Sequence, residues 1–522
     1  MIAARTLCLV LLAAPLMAPA QQLRHVQARI ASGVIEGVVS SDDRVRTFKG
    51  IPFAAPPVGP LRWRPPQPVA PWPGVLTTIS YGARPMQGRT NSSMVFHDAM
   101  PSEDCLYLNL WLPEHAGGRL PVMVWIFGGG FAAGSSSEPR QDGGNLCKKG
   151  VIVVSMNYRL GVFGFLAHPD LARESPGGAS GNYGLMDQVA ALRWVRDNIA
   201  VFGGDPGNVT IFGESAGSMS VNALMASPMA RGLFSKAIGE SGAFLEQPGA
   251  ATPPRLRTLA QAEEAGARFG EGLGARTAAQ LRAIPAADLL AAAGRAPRGT
   301  FWPDIDGLFM KADPHEVFAS GGQARVPLIA GSNLDEKSWK DYFGKAPPTL
   351  ASYRALARSR FPGRDARFLG LYPAGDDAQA RRSASDLQSD LFMGYCAWKW
   401  ADEQRLLRGP AVYRYRFEET LPLRADAPPG TQASAPHAGE IEFVFRVLSS
   451  RPLPWRPQDR RVSELMADYW TNFAKTGNPN GPGLPGWPRY AESGGLEVMH
   501  LRADPGALPE TSLARYAFLA GR

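Results

Sequence analysis

Cysteine is scarce in this chain of 522 residues, which contains only four. Cys8 lies in a short N-terminal apolar run, and the remaining three, Cys105, Cys147 and Cys396, cannot all pair within one chain. A hydrophobic core, not a set of disulfides, must therefore hold the fold together. The sequence has no Cys-x-x-Cys motif and no His/Cys cluster, so we predict no metal site.

Blocks of positive charge are also missing, although the net charge is +8. The Lys and Arg residues are spread along the chain, which indicates a mildly basic surface and argues against a nucleic-acid partner. Hydrophobic residues make up 45% of the chain and charged residues 20%, as in an ordinary globular protein. Abundant Arg, Ala, Gly and Pro are typical of a GC-rich bacterial genome.

Apolar runs long enough to cross a bilayer are absent, which argues against stable membrane insertion. The run from Leu7 to Ala14 is short, follows Arg5, and precedes Ala18-Pro-Ala20, a small-x-small cleavage pattern. We therefore predict that residues 1–20 are a signal peptide and that residues 21–522 form a single exported domain, secreted or periplasmic. A buried core segment is the alternative interpretation of the apolar run. The oligomeric state cannot be derived from the sequence.

Strand-like and helix-like patterns alternate along the chain. Residues 121–127, 151–157 and 209–212 are apolar, largely β-branched runs typical of buried strands. Apolar residues at three- and four-residue steps predict a helix that ends at Gly203-Gly204. This alternation predicts an α/β fold with a mostly parallel central sheet flanked by helices. Ala-rich helical insertions are expected within 250–300 and 351–408, with strands at 326–330 and 412–417, and we find no internal repeat or linker.

Ser215 lies in Gly213-Glu-Ser-Ala-Gly217, between a predicted strand and a predicted helix. A sharp strand-to-helix turn with glycines at both ends can present a nucleophilic hydroxyl above a sheet. The pentapeptide alone is a weak signal, and a plain turn serine is the alternative. The context of strand and helix favours Ser215 as a nucleophile.

Gly128-Gly-Gly130 follows the predicted strand 121–127 and can bring backbone N–H groups close to a substrate. Such groups stabilise an oxyanion, and the residue after the nucleophile, Ala216, supplies another N–H. A flexible loop and a phosphate cradle are the alternatives, but no Lys-Ser/Thr follows the glycines as a P-loop requires.

A serine nucleophile needs a histidine base and an acid that orients it, in the chain order Ser, acid, His. Only His437 and His500 lie downstream of the acid candidates. His500 is expected in an edge segment near the C-terminus, whereas His437 occupies a loop that a sheet could hold near the turn. The acid candidates are Asp335 and Glu336, at the carboxyl end of the predicted strand 326–330, where active sites of such sheets collect. Spacing alone does not choose between these two carboxylates.

The chain resembles the type-B carboxylesterase and cholinesterase family throughout its mature length. The stretches that carry the resemblance are Phe48-Lys-Gly-Ile-Pro-Phe-Ala-Ala-Pro-Pro57, Ser102-Glu-Asp-Cys-Leu-Tyr-Leu-Asn109, Trp125-Ile-Phe-Gly-Gly-Gly-Phe131, Asn157-Tyr-Arg-Leu-Gly161, Phe202-Gly-Gly-Asp-Pro206, Gly213-Glu-Ser-Ala-Gly217 and His437-Ala-Gly-Glu-Ile-Glu-Phe-Val-Phe445.

The resemblance implies an α/β-hydrolase catalytic domain with a catalytic triad of Ser215, Glu336 and His437, which selects Glu336 over Asp335. It implies that Gly129, Gly130 and Ala216 are the oxyanion donors, and it places Glu214 and Ser241 beside the triad, as residues that tune it. The expected reaction is hydrolysis of small-molecule carboxylic esters through an acyl-enzyme on Ser215, without a metal or an organic cofactor.

Four departures from the family pattern bear on this expectation. Cys105 matches a family half-cystine, but no cysteine lies near Met86, so that bridge should be absent. Phe127 replaces a His or Tyr, and Lys337 replaces a glycine that commonly follows the acid, so its charge could disturb Glu336. No tryptophan lies between Pro73 and Cys105 to hold a quaternary ammonium, which argues against a choline ester.

Three alternatives to a carboxylesterase of unknown ester specificity remain. One is a lipase that acts at an interface, and the second is an amidase or carbamate hydrolase. The third is a non-catalytic scaffold homologue, which the filled triad positions disfavour.

Overall fold

The computed structural model describes residues 24–40, 44–88, 94–98, 100–115, 118–245, 256–428, 430–491 and 494–521. The predicted signal peptide lies outside these ranges and stays a prediction. Within them, no helix combines the length and the apolar character that a membrane span requires.

The strands, in chain order, are β1 (Arg24–Ile30), β2 (Gly33–Ser40), β3 (Val45–Pro52), β4 (Val75–Thr77), β5 (Arg84–Pro85), β6 (Pro101–Ser102), β7 (Tyr107–Pro113), β8 (Leu120–Ile126), β9 (Ile152–Met156), β10 (Gly204–Glu214), β11 (Lys236–Glu240), β12 (Arg257–Thr258), β13 (Asp304–Ile305), β14 (Leu328–Asn333), β15 (Val412–Phe417), β16 (Glu497–Leu501) and β17 (Gly506–Pro509).

The helices, in chain order, are α1 (Gly144–Cys147), α2 (Gly161–Phe165), α3 (Pro169–Glu174), α4 (Tyr183–Asn198), α5 (Ala216–Ala226), α6 (Leu259–Glu271), α7 (Ala278–Ala283), α8 (Ala286–Ala293), α9 (Pro314–Ala319), α10 (Trp339–Phe343), α11 (Leu350–Arg360), α12 (Asp365–Leu371), α13 (Asp377–Ser389), α14 (Tyr395–Arg405), α15 (Ile441–Val444), α16 (Pro457–Thr476) and α17 (Leu513–Leu519).

A 13-stranded sheet organises the described residues, in the order β1-β2-β3-β7-β9-β8-β10-β11-β14-β15-β16-β17 with β4 beside β2. From β9 to β16 all neighbouring strands are parallel, and the strands at both edges are antiparallel. Helices α4, α5, α14 and α16 pack against the parallel part. The predicted α/β class with a mostly parallel sheet is confirmed.

The parallel strands are buried along most of their length, because helices cover them. All five residues of β9 and all six of β14 are buried, and so are the last six residues of β10. This explains why these strands read as continuous apolar runs in the sequence and not as alternating ones.

Two sequence expectations need correction. The segment after His437, which the sequence suggested to be a loop throughout, contains the short helix α15. His500, expected in an edge segment, lies in β16, which pairs with β15 on one side and β17 on the other. Both errors concern short elements, which tertiary contacts define more than local sequence does.

Candidate active site

Ser215 lies at the turn between β10 and α5 with φ 56° and ψ −121°, an unusual conformation for a residue with a side chain. Its N–H donates to the carbonyl of Glu240 on the neighbouring strand at 2.9 Å. A Cβ on Gly217 would lie 1.9 Å from the carbonyl oxygen of Ile126, and one on Gly213 would lie 2.6 Å from the same atom. The two glycines are therefore needed because the turn presses directly against β8.

Three side chains from separate segments meet at this turn. Ser215 Oγ lies 3.0 Å from Nε2 of His437, and Nδ1 of the same ring lies 2.6 Å from Oε2 of Glu336. The Glu336 side chain is fully buried, whereas the His437 side chain is 25% exposed and Ser215 is half-buried. The carboxylate is thus shielded from water, while the hydroxyl remains accessible from outside.

Glu336 and Asp335 are adjacent in the chain but face different surroundings. Glu336 Oε1 accepts hydrogen bonds from Ser241 Oγ at 2.6 Å and from the backbone N–H of Asn333 at 2.7 Å. Asp335 instead pairs with Arg382 at 2.6 Å. The structure therefore brings Glu336, and not Asp335, to the imidazole.

The Asn333 side chain was not identified from the sequence, although it lies in the same loop. Its amide Nδ2 donates to the carbonyl of Pro436 at 2.8 Å and to the Glu440 carboxyl. Asn333 therefore ties the loop that carries Glu336 to the loop that carries His437. An asparagine three positions before a candidate acid was the available signal.

The segment Gly128-Gly-Gly130 follows β8 and packs directly against the turn at Ser215. A Cβ on Gly128 would lie only 3.0 Å from Cβ of Ser215. Gly129 and Gly130 have φ of 103° and 64°, and no hydrogen bond within the described part of the chain uses their N–H groups. Ala216 begins α5, whose first N–H groups have no partner inside the helix. The N–H groups of all three predicted donors therefore make no hydrogen bond with the described residues.

Glu214 adds a second carboxylate to the imidazole. Its Oε1 lies 3.2 Å from Nε2 of His437, and its side chain is 4% exposed. Burial raises the pKa of Glu214 to about 7, although His437 and Arg140 act in the opposite direction. Burial alone would lower the pKa of His437, but the carboxylates of Glu214 and Glu336 raise it to about 9.

Arg140 is a further residue that sequence reasoning missed. It lies downstream of the glycine segment and donates through Nη2 to the carbonyl of Ala438, the residue after His437. The same nitrogen lies 3.4 Å from Oε2 of the buried Glu442. Ala438 has φ 60°, so the histidine loop adopts a conformation that its side chain disfavours and that Arg140 helps to hold. An isolated Arg gives no sequence signal of this role.

Aromatic rings pack on both sides of the glycine segment. Phe131, directly after the glycine segment, stacks on Phe244 at 5.9 Å and packs edge-on against Trp302 at 5.1 Å. Phe127, where a polar residue is common in the resembling family, stacks on Tyr158 at 4.5 Å, and the Tyr158 hydroxyl donates to the Phe127 carbonyl. The substitution therefore leaves an ordered backbone at the start of the glycine segment.

The other downstream histidine lies in a different environment. His500 lies in β16, where its Nδ1 is 2.9 Å from Oε1 of Glu418, and it makes no contact with Ser215. Cys105, Cys147 and Cys396 are all buried, and no disulfide joins them. Among the described residues, no three His, Cys, Asp or Glu side chains are placed to hold a metal ion together.

Comparison with known proteins identifies the family. Residues 23–518 match the model of the carboxylesterase family. The chain is 37% identical to the para-nitrobenzyl esterase of Bacillus subtilis, with 88% of this chain and 91% of the relative covered. It is 35% identical to the fumonisin B1 esterase of Sphingopyxis macrogoltabida, with 93% and 87% covered, and 35% identical to the human cocaine esterase, with 90% and 86% covered.

Solved structures agree with these sequence matches. A para-nitrobenzyl esterase structure superposes with a TM-score of 0.78 at 34% identity, covering 95% of this chain and 99% of its own. A thermophilic para-nitrobenzyl esterase gives 0.78 at 33% identity, covering 96% and 100%. The chain therefore belongs to the carboxylesterase family and is a carboxylic ester hydrolase.

Proposed function

We propose that this protein hydrolyses carboxylic esters in two steps through an acyl-enzyme on Ser215, with His437 as general base and Glu336 as the acid that orients it. The observation that carries the proposal is the continuous contact from Ser215 Oγ through the imidazole to the Glu336 carboxylate, at 3.0 Å and 2.6 Å. Residues 21–522 act as one catalytic domain, exported to the periplasm or the medium.

In the first step, Ser215 Oγ attacks the ester carbonyl while its proton passes to Nε2 of His437. The Glu336 carboxylate accepts a hydrogen bond from the Nδ1–H group of His437 and stabilises the imidazolium that forms. The N–H groups of Gly129, Gly130 and Ala216 donate to the oxyanion, and each such donor is worth about 10² to 10³ in rate. His437 then returns the proton to the departing alcohol.

In the second step, water replaces the alcohol. His437 takes a proton from water, the hydroxide attacks the acyl carbonyl, and the acid leaves as Ser215 recovers its proton. The same backbone donors stabilise the second oxyanion. Every group involved belongs to the described residues, and the arrangement needs no cofactor to complete the reaction.

Ser241 and Glu214 have supporting roles in this proposal. Ser241 donates to the Glu336 oxygen that does not contact the imidazole, which fixes the carboxylate plane. Glu214 stabilises the imidazolium from the side of Ser215. The absence of a tryptophan between Pro73 and Cys105 leaves no such ring for a quaternary ammonium, so choline esters are expected to be poor substrates.

The test is Ser215→Ala, assayed on 4-nitrophenyl esters of increasing acyl length and labelled with a fluorophosphonate probe. Turnover and labelling should both fall below a few per cent of wild type. Ser320→Ala is the matched control, because Ser320 is exposed and its hydroxyl bonds only to backbone carbonyls of α9. Ester turnover that survives Ser215→Ala in pure protein would overturn the proposal.

Assays of the purified wild-type protein also distinguish the three alternative functions. A rate that rises only above the concentration at which the substrate forms micelles would indicate a lipase. Faster turnover of an anilide or carbamate than of the matched ester would indicate an amidase or carbamate hydrolase. A folded wild-type protein that neither turns over esters nor reacts with the probe would be a scaffold homologue.

A further inference from the structure

A positive charge lies close to the imidazole and has no acidic partner among the described residues. Lys337 directly follows Glu336, and its ammonium lies 4.7 Å from the centre of the Phe392 ring. The Phe392 ring centre lies 5.1 Å from the centre of the His437 ring, in an edge-to-face arrangement. The ammonium is therefore within about one Debye length, about 10 Å at 0.1 M salt, of the imidazole.

The position of Lys337 is fixed by its neighbours. Its backbone N–H donates to Ser389 Oγ at 3.3 Å, at the end of α13. Phe392 lies one turn further along, in the π-helical turn Asp390–Gly394 that joins α13 to α14. Both Lys337 and Phe392 are half-buried. The lysine side chain thus packs against Phe392, the ring that contacts the imidazole, and does not extend freely into solvent.

The acidic groups near Lys337 are already paired with other residues. Arg382 lies 2.6 Å from Asp335 and 2.6 Å from Asp386. Asp390 accepts from the Tyr372 hydroxyl at 2.8 Å and pairs with Arg515 at 3.1 Å. Among the described residues, no carboxylate lies within the 4.0 Å of the Lys337 ammonium that an ion pair requires.

Buried carboxyls also lie around the imidazole. Glu336 and Glu214 both pair with His437, and Glu440 is a further buried acid that forms no ion pair with Lys337. Burial raises the pKa of Glu214 to about 7 and, together with Glu214 and Glu336, that of Glu440 to about 8. Protonation of either carboxyl reduces the negative charge that offsets the Lys337 ammonium.

We propose that Lys337 is a specificity-determining residue that favours esters bearing a carboxylate, namely half-esters of dicarboxylic acids, over neutral esters of the same length. The inference rests on the proposed ester hydrolysis and concerns only the choice of substrate. The anionic end of the acyl chain lies towards the Lys337 ammonium while the ester carbonyl occupies the site beside Ser215.

The test compares 4-nitrophenyl hydrogen adipate with 4-nitrophenyl hexanoate, which have six-carbon acyl chains and differ by the terminal carboxylate. In Lys337→Met the ratio of kcat/KM for adipate to that for hexanoate should fall about fivefold, since a Coulombic attraction at this range is modest. Lys337→Arg should keep the ratio within about twofold, and 0.5 M NaCl should reduce it in wild type.

Lys148→Met is the matched control, because it removes the same charge from an exposed side chain near α1. Inhibition by free adipate gives a second measurement, and its inhibition constant should rise about fivefold in Lys337→Met. If Lys337→Met does not fold, as judged by far-UV circular dichroism, Lys337→Gln takes its place.

The proposal is overturned if Lys337→Met and Lys148→Met change the adipate-to-hexanoate ratio equally, or if the wild-type ratio is insensitive to salt. Failure of the proposed function gives a different result, since neither ester would then be turned over in a manner that depends on Ser215.

Discussion

Glu214 Oε1 lies 3.2 Å from Nε2 of His437, the same ring nitrogen that faces the Ser215 hydroxyl. In the proposed mechanism, a carboxylate at this position stabilises the imidazolium that forms when Ser215 loses its proton. The same carboxylate also holds the proton on the resting imidazole, where a base must be neutral to act. In that mechanism, Glu214 therefore couples stabilisation of the charged intermediate to the pH at which the enzyme becomes active.

The first prediction is that Glu214→Gln moves the acidic limb of the pH profile to lower pH. His437 has its pKa raised to about 9, with Glu214 the largest charge acting in that direction. A base with a raised pKa is inactive below that pKa, so activity rises with pH towards about 9. Without the Glu214 charge, the acidic limb of the pH profile of kcat/KM should shift to lower pH by about one unit.

The measurement is kcat/KM for a neutral ester between pH 5.5 and 10 in wild type and Glu214→Gln. Glu316→Gln, on the exposed surface of α9, is the control for loss of one carboxylate. If the acidic limb of kcat/KM lies at the same or at a higher pH in Glu214→Gln, Glu214 does not raise the pKa of His437.

The second prediction separates two adjacent carboxylates. Glu336→Gln should lower kcat by about 10³ to 10⁴, because an amide cannot stabilise the imidazolium or hold the required tautomer. KM should change little, since Glu336 is buried away from the substrate.

Asp335→Asn is the matched variant for this prediction, because Asp335 pairs with Arg382 and not with the imidazole. Steady-state kinetics should give a loss of less than about tenfold for Asp335→Asn. Equal losses in the two variants would contradict the assignment of Glu336.

The third prediction concerns Arg140 as a positioning residue. Arg140→Gln removes the donor to the Ala438 carbonyl and the cation beside buried Glu442, so the histidine loop should lose its fixed orientation. We expect kcat to fall about 10- to 100-fold with less than about a threefold change in KM, because a small displacement of a catalytic group is costly.

Arg451→Gln is the control, because Arg451 lies 3.7 Å from the same Glu442 carboxyl and makes no hydrogen bond or ion pair with the described residues of the histidine loop. Kinetics of both variants, with Arg140→Lys as the conservative change, test the assignment. Arg140→Lys should recover part of kcat, and a Gln variant that loses activity only in proportion to its folded fraction would indicate a structural role.

The fourth prediction concerns the glycine after the Ser215 turn. Gly217→Ala should lower the free energy of unfolding by about 2–4 kcal/mol or prevent folding, because its Cβ would lie 1.9 Å from the Ile126 carbonyl oxygen. Gly370→Ala, in α12 with no atom within 4 Å of its Cβ, should be neutral or stabilise by up to about 1 kcal/mol. Thermal unfolding of both variants gives the comparison, and equal stability would contradict the steric argument.

The order of strands and helices and the turn at Ser215 could be predicted because they depend on local sequence. Buried parallel strands are continuous apolar runs, and β15 was predicted with the same bounds, 412–417, that the structure gives it. The turn needs glycines on both sides of the nucleophile, and that requirement is visible within five residues.

Chain order and family resemblance together selected His437 and Glu336, but spacing alone left Asp335 open. Asp335 and Glu336 are neighbours whose side chains leave the loop in different directions. The Asp335 side chain therefore pairs with Arg382, and the Glu336 side chain contacts the imidazole. That direction depends on β14, β15 and the histidine loop together.

The sequence by itself determined which elements form and which residue types are available for catalysis. The tertiary structure decided their pairing, since Ser215 and His437 meet across 222 positions and Arg140 reaches the carbonyl of Ala438 from 298 positions away. The physical reason is that such contacts join chain segments that sheet pairing and burial bring together. The distances between these side chains, and the effect of their charges on one another, are therefore set only once the core has formed.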